Sequence, residues 1–297
     1  MAGISVNMTE DKHKVKLAKP VRYTICILLC ALSIFPFWVL FVNSTLESNI
    51  IKQGLHMIPG TNFFKNYASL MQKMKDAQSV SVWRAMLNSL LVTVPTTILQ
   101  VYFATLTAYS ITVYKFKLRN FAWGFIYAIM MIPSQVSIVG LIKVCQIEVL
   151  GHSMYGTYLP LILPAMAAPT TVYFMKQYME SGFPLEIVDA ARIDGSNEFR
   201  TFNTIALPMM KPAMATQAIF AFVASWNNLY TPSILLATEQ DRKTMPMFVQ
   251  ALKSNDKQRD FGQIYLGLFI SVIPIMVAYF LLSKYIVAGV ALGGVKE

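Results

Sequence analysis

The residues whose types and spacing could do chemistry lie in one polar stretch, residues 180–200, between two apolar segments. Pro184 suits the first turn of a helix, because a missing N–H costs nothing at that position. Gly195 permits a left-handed or tight turn, and Ser196 or Asn197 can cap a helix that follows. The pattern predicts a short helix, a sharp turn and another helix, whose small apolar face can enter a partner protein's groove. The apolar contacts would come from Leu185, Val188 and Ile193.

Motifs for other kinds of chemistry do not occur in the sequence. It contains no GxxxxGK[ST] phosphate-binding loop, no HExxH zinc helix and no nucleophile elbow. The three histidines and three cysteines show no metal-ligand spacing. The sequence therefore predicts no catalytic residue, no metal site and no cofactor bound by this chain. If the protein moves a solute uphill, the energy must enter from a partner through a cytoplasmic surface.

The composition indicates a membrane protein. Of the 297 residues, 55% are hydrophobic and only 13% are charged, whereas a soluble domain has roughly 25% charged residues. The mean hydropathy of +0.50 agrees with this. The net charge of +10 is better explained by basic residues that flank membrane spans and face anionic lipid than by a nucleic-acid partner.

Six apolar segments approach or exceed the ~20 residues that a helix needs to cross a bilayer. They lie at residues 21–43, 85–113, 120–142, 155–176, 209–237 and 263–286. Helices are expected for segments this long, because backbone polar groups cannot stay unpaired in lipid. The fold class predicted is all-α, a polytopic membrane protein with six transmembrane helices. The first segment is longer than the apolar part of a signal peptide and is expected to be retained.

The distribution of basic residues predicts that both termini are cytoplasmic. The basic start of the chain and the short acid-free loop at residues 115–119 favour the inner side of the membrane. One permease domain is expected at residues 21–288. The predicted segments around and within it are a cytoplasmic start at 1–20, outer loops at 44–84 and 238–262, a cytoplasmic loop at 177–208 and a cytoplasmic tail at 289–297.

The polar stretch resembles the signature loop of ABC importer permeases. That signature consists of Glu-Ala-Ala, three residues, Gly, nine residues, Ile, one residue and Leu-Pro. This chain keeps every spacing with Asp189, Ala190, Ala191, Gly195, Ile205, Leu207 and Pro208. Residues 191–195, Ala-Arg-Ile-Asp-Gly, are similar to the carbohydrate branch. Asp189 in place of Glu and Ser196 in place of a small Ala are departures that could alter the fit to an ATPase.

The resemblance extends over nearly the whole chain and is greatest to the G-type permease of maltose-type importers, through residues 226–232 and the ending at 284–296. It implies three kinds of protein partner: a homologous F-type permease, a dimer of ATPase subunits that use ATP and Mg, and an extracytoplasmic sugar-binding protein. It also implies that the 185–206 loop, including Asp194, couples to the ATPase, and that tail residues Gly293, Gly294 and Lys296 reach between the ATPase subunits.

Several polar or aromatic residues in the spans could line a translocation path for a sugar, which would stack on aromatic rings and hydrogen-bond to amides. The candidates are Trp226, Asn227, Asn228, Tyr230 and Gln135. The same residues could equally serve packing and hydrogen bonding between helices.

Two other functions stay open. One is an ATPase-independent secondary carrier or channel, although the predicted spans contain no Asp or Glu to bind a coupling ion. The other is an importer for another polar solute, such as glycerol phosphate or a polyamine. Because the spans are neither rich in Arg nor rich in acids, a neutral sugar or oligosaccharide is the preferred substrate.

Overall fold

Helices make up the regular structure of the chain, as the apolar segments require. A computed structural model describes residues 8–76, 80–133, 136–148, 151–254 and 260–293, and no strand occurs within them. Side chains are described at residues 19–74, 80–133, 136–148, 151–253 and 260–285. The predicted all-α fold is confirmed.

The helices of the first half alternate between long spans and short segments. They are α1 (Met8–Ser44), α2 (Ser48–Ile51), α3 (Phe63–Asp76), α4 (Val82–Val113), α5 (Arg119–Met130), α6 (Ile138–Gln146) and α7 (Leu159–Ile162). A 3-10 turn at Leu163–Met166 leads into α8 (Pro169–Gly182).

The second half begins with a series of short helices. They are α9 (Leu185–Ile193), α10 (Glu198–Thr201), a π-helical turn at Phe202–Ala206, α11 (Leu207–Met209), α12 (Lys211–Trp226) and α13 (Tyr230–Leu235). A 3-10 turn at Gln240–Arg242 precedes α14 (Met245–Ser254), and the long α15 (Phe261–Gly293) follows.

Three helices are long and apolar enough to cross a membrane: Lys19–Ser44 within α1, Val82–Val113 and Phe261–Tyr285 within α15. They agree with three of the predicted spans. Each helix keeps a proline in its interior, which membrane helices tolerate because neighbouring groups satisfy the freed carbonyl.

The other three predicted spans consist of shorter helices, so the count of six stays a prediction. Residues 120–142 are divided between α5 and α6, and α5 ends three residues before Pro133. Residues 155–176 are interrupted by the 3-10 turn before α8, and 209–237 divide at Asn227–Leu229. Proline cannot donate a backbone hydrogen bond and disfavours a helical residue before it, which explains the first two interruptions.

Glu198–Met209 and Lys211–Trp226 form an apolar pair bent by 80°.

The chain divides into two compact units, Met1–Leu70 with Lys257–Phe269 and Met71–Asp256 with Ile270–Glu297. In the first unit, Asn66 binds the end of α1: its amide donates to the carbonyls of Ser44 (2.9 Å) and Leu46 (3.0 Å). The first bond satisfies a carbonyl that the end of α1 leaves unpaired, and the second holds the turn that follows α1.

In the second unit, α4 packs against α8 and α12. The start of α4 also binds the predicted outer loop 238–262. The Asn88 amide donates to the carbonyls of Asp241 (2.7 Å) and Lys243 (3.0 Å), and the Ser89 hydroxyl accepts from the Met245 amide (2.7 Å). Neutral amide and hydroxyl groups thus hold this loop on the end of a membrane-spanning helix.

Candidate functional site

The 185–206 loop forms the predicted helix, turn and helix. Helix α9 ends at Ile193, and Gly195 adopts a φ of +78°. The Gly195 amide donates to the Arg192 carbonyl (3.1 Å), and the Ser196 amide donates to the Ala191 carbonyl (2.9 Å). These two bonds form a Schellman motif, which places a left-handed residue directly after a helix. Glycine is favoured there because other residues are strained at positive φ.

Asn197 caps the second arm of the loop. Its side-chain oxygen accepts from the Arg200 amide at 2.8 Å, which decides between the two predicted cap residues. Ser196 instead accepts a hydrogen bond from the Thr201 hydroxyl (2.9 Å). Pro184 immediately precedes α9, which begins at Leu185, so the predicted position of Pro184 inside the first turn was wrong by one residue.

The loop is packed onto the chain's own helices. Val188 of α9 and Phe202 of the π-helical turn are each 1% exposed and belong to a core with residues of α4 and α8. Val188 was expected to offer an apolar contact to a partner, and that expectation is corrected, because α9 turns this side chain inwards. Ile193 (87% exposed) and Leu185 (44%) remain on the surface.

Arg192 links the two arms of the loop. Its Nη1 lies 3.0 Å from the Asp189 carboxylate on the same helix, and its Nε lies 2.8 Å from the Glu198 carboxylate at the start of α10. The hydrogen bond with Glu198 is the main reason that the pKa of Arg192 lies above its ordinary value. The guanidinium therefore stays charged and bridges the Gly195 turn.

Tyr114 joins this network from the end of α4. The Arg192 guanidinium lies 6.0 Å from the centroid of its ring. Burial, followed by interaction with the Glu198 carboxylate, raises the pKa of Tyr114 to about 12, so the phenol stays protonated at physiological pH. The loop motif alone could not locate this contact, because Tyr114 lies far from Glu198 in the sequence; only the Asp189–Arg192 spacing was a local signal.

An open groove of about 410 Å³ lies between the two arms of the loop. It is lined by Ile187, Ala190, Ala191, Asp194, Gly195, Ser196, Arg200, Thr204 and Ile205. Five predicted coupling residues meet here: Ala190, Ala191, Asp194, Gly195 and Ile205. Small side chains along α9 keep the groove open, while Asp194 and Arg200 add one charge of each sign. Such a surface can receive apolar and polar side chains of another protein.

The remaining predicted coupling residues lie outside the groove lining. The Asp189 side chain is 68% exposed and pairs with Arg192. Leu207 packs against the core under the loop, and Pro208 is exposed in α11. The motif residues therefore lie in two places. Asp189 belongs to the charged surface of α9, while Leu207 and Pro208 lie in the connection to α12.

The helix beneath the loop is bound to α5 by an unusual buried cation. Lys176 of α8 is 7% exposed, and its ammonium lies 4.3 Å from the centroid of the Trp123 ring. The same ammonium pairs with Glu180 one turn later. Cation–π attraction and the carboxylate together offset the cost of burying the charge.

The predicted path residues surround the break between α12 and α13. Trp226 is 2% exposed; its indole donates to the Ser271 carbonyl (3.0 Å) and stacks on Phe222. This ring is committed to packing within the chain. Asn227 and Tyr230 are exposed, and the Asn228 side chain accepts from the Thr231 amide (3.3 Å).

Some candidates cannot be placed. Gln135, Gly294 and Lys296 lie outside the described residues, and Gly293 is the last residue of α15. Within the described part of the chain, no group of three His, Cys, Asp or Glu side chains could hold a metal ion. The translocation-path and tail assignments stay predictions.

Known proteins resemble this chain over nearly its full length. The family described as "binding-protein-dependent transport system inner membrane component" matches residues 100–292. The arabinooligosaccharides transport system permease protein AraQ of Bacillus subtilis is 30% identical over 91% of this chain and 93% of its own. The sn-glycerol-3-phosphate transport system permease protein UgpE of Escherichia coli is 27% identical, over 90% and 94%.

A solved structure supports the fold. A chain from a bacterial ABC transporter involved in the import of the acidic polysaccharide alginate superposes with a TM-score of 0.69. The match covers 91% of this chain and 96% of the other, at 18% sequence identity. At that identity the likeness bears on the fold and not on the substrate.

Proposed function

This chain belongs to the family of inner membrane components of binding-protein-dependent transport systems, and we propose that it is the G-type permease subunit of an ATP-driven importer for a sugar or oligosaccharide. The observation that carries the proposal is the loop groove, in which several residues of the family motif line one open surface. As a multi-pass membrane protein with no fuel site of its own, the chain would receive its energy there.

The preference for a carbohydrate rests on three observations. The relative with 30% identity is named for transport of arabinooligosaccharides, and residues 191–195 resemble the carbohydrate branch. The predicted spans carry no acidic residue, which favours a neutral solute over a polyamine. A glycerol phosphate remains the closest alternative, because another relative is named for sn-glycerol-3-phosphate.

The packing of the 185–206 loop supports a mechanical role. Partner ATPase subunits would use ATP and Mg, and their closure would move the loop. The Arg192 bridge holds the two arms together, and Val188 and Phe202 fix them to α4 and α8. A displacement of the loop would therefore pass to the spans as a rigid-body movement between two states of the helix bundle.

The remaining partners follow from this role. A homologous F-type permease would complete the translocation path, and a sugar-binding protein would deliver substrate on the outer side. Both termini would lie in the cytoplasm, with the loop on the same side.

Uptake into proteoliposomes tests the proposal. The full chain, reconstituted with the products of adjacent permease, ATPase and binding-protein genes, should accumulate labelled arabinooligosaccharides or another neutral oligosaccharide. Accumulation should require ATP on the side of the loop and should stop when the ATPase is omitted. Accumulation driven by an ion gradient alone, without the ATPase, would contradict the proposal and select a secondary carrier.

A further inference from the structure

The chain that leaves α1 turns back along that helix. The indole Nε1 of Trp38 donates to the Met57 carbonyl at 3.1 Å. Trp38 lies six residues before Ser44, the last residue of the apolar helix segment Lys19–Ser44 that is long enough to cross a membrane. At 1.5 Å per residue, its Cα is about 9 Å inside that end. The backbone of Met57 therefore lies beside the span and not beyond it.

After Met57 the chain returns to the end of α1. Gly60 donates its amide to the Thr45 hydroxyl (2.8 Å), and Asn62 donates its amide to the Thr45 carbonyl (2.9 Å). Gly60 lies three positions after Met57, and the chain between them, which bends at Ile58, spans at most about 10 Å. This upper limit allows the ~9 Å between the level of Trp38 and the end of α1.

Close contacts hold the segment at residues 55–60 in place. A Cβ on Gly60 would lie 2.7 Å from the Thr45 carbonyl oxygen and 2.8 Å from a methyl of Leu46, so only glycine permits the approach. The His56 ring donates to the Ile50 carbonyl (2.7 Å). The loop is thus built to hold one shape.

The apolar side chains at and next to Met57 are uncovered. Ile58 is 80% exposed, Leu55 66% and Met57 48%. In water these exposed apolar side chains would be unfavourable, because the hydrophobic effect favours their removal from water. At this depth beside a span, they would instead meet lipid.

We propose that residues 55–58 form an interfacial membrane anchor whose apolar side chains insert into the leaflet at the C-terminal end of α1. That leaflet is the outer one in the topology proposed above. The Met57 carbonyl is paired with Trp38, as a backbone group in lipid requires, and tryptophan is enriched at this level of membranes. The anchor would fix the depth and rotation of α1. The inference rests on α1 spanning the membrane, whatever the substrate or energy source.

Spin-label accessibility tests the anchor. The full chain, with Cys26, Cys30 and Cys145 replaced by Ala, receives one labelled cysteine at position 58 by Ile58→Cys. The matched control is Thr61→Cys, which is also exposed but lies at the level of Thr45. A second test position is Leu55→Cys. Each protein is placed in nanodiscs of phosphatidylethanolamine and phosphatidylglycerol.

Collision with oxygen, which concentrates in lipid, is compared with collision with a water-soluble nickel chelate. We expect the ratio of oxygen to nickel collisions to be several-fold higher at positions 58 and 55 than at position 61. Equal ratios at the three positions would place the loop in water and overturn the anchor. Shielding of positions 58 and 55 from both reagents would also overturn it, because a protein would then cover the loop. Neither result depends on transport activity.

Discussion

At the scale of single residues, the 185–206 loop depends on one glycine and one arginine. Gly195 supplies the positive φ that ends α9, and Arg192 joins the arms on either side of the turn. The sequence predicted the glycine, because a left-handed turn has a local signature. It did not predict the bridge to Glu198 and Tyr114, which depends on how the end of α4 meets the loop.

Gly195→Asp should leave the chain in the membrane but uncouple ATP hydrolysis from uptake. A side chain in the left-handed conformation costs about 1–2 kcal/mol for most residues and less for Asp or Asn, and the new carboxylate would adjoin Asp194 in the groove. We expect uptake per ATP hydrolysed to fall by about tenfold, the equivalent of about 1.4 kcal/mol.

The matched control is Gly182→Asp, since Gly182 has the same open surroundings without a positive φ. Gly195→Asn separates backbone strain from charge and should retain more uptake than Gly195→Asp. Normal coupling in the Gly195→Asp variant would count heavily against a mechanical role for the turn.

Arg192→Gln and Glu198→Gln should be energetically coupled. The pair is partly exposed, 36% and 45% at the side chains, so a double-mutant cycle on the free energy of unfolding should give about 0.5–1 kcal/mol. The control cycle, Arg192→Gln with Asp189→Asn, should give less, because Asp189 is more exposed and lies on the same helix. A coupling energy near zero would contradict the claim that the Arg192–Glu198 pair holds the two arms of the loop together.

At the scale of elements, α9 has two faces with different roles. Val188 faces the core under the loop, while Ile193 and the groove side of the helix face outwards. The periodicity of so short a helix could not decide which apolar residue is buried, so Val188 was assigned to the wrong face. The break at Asn227 was likewise unpredicted, because high hydropathy indicates that a segment lies in lipid but not where its helix stops.

Val188→Ala should lower the free energy of unfolding by about 1–3 kcal/mol, as expected when buried methyl groups are removed. Ile193→Ala should change it by less than about 0.5 kcal/mol but should weaken binding of the ATPase subunit, because Ile193 is uncovered. Chemical unfolding of the purified chain and titration with the ATPase measure the two effects. The opposite pattern, with Ile193→Ala destabilising and Val188→Ala silent, would mean that α9 is turned the other way.

At the scale of the whole molecule, the composition and the apolar segments predicted an all-helical, multi-pass membrane protein, and the fold and family confirm it. Three of the predicted spans are single helices, and the other three consist of shorter helices. The interrupted segments and the 185–206 loop belong to the same compact unit. Under the proposed function, a small movement of the loop would pass to helices that already contain breaks. The family resemblance implied the kinds of partner, but the sequence could not predict which residues contact them, because an interface depends on both chains.

The most direct test of the central claim is whether the ATPase binds at the loop groove. Ala190→Trp fills the groove, which Ala190 lines, while Glu186→Trp places the same bulk on an exposed position of α9 outside it. Both variants of the full chain are purified from membranes, and the ATPase that co-purifies is quantified together with ATP-driven uptake. We expect Ala190→Trp to lose the ATPase and uptake together, and Glu186→Trp to keep both. Retention of the ATPase and of uptake by Ala190→Trp would contradict the claim that energy enters this permease through the groove.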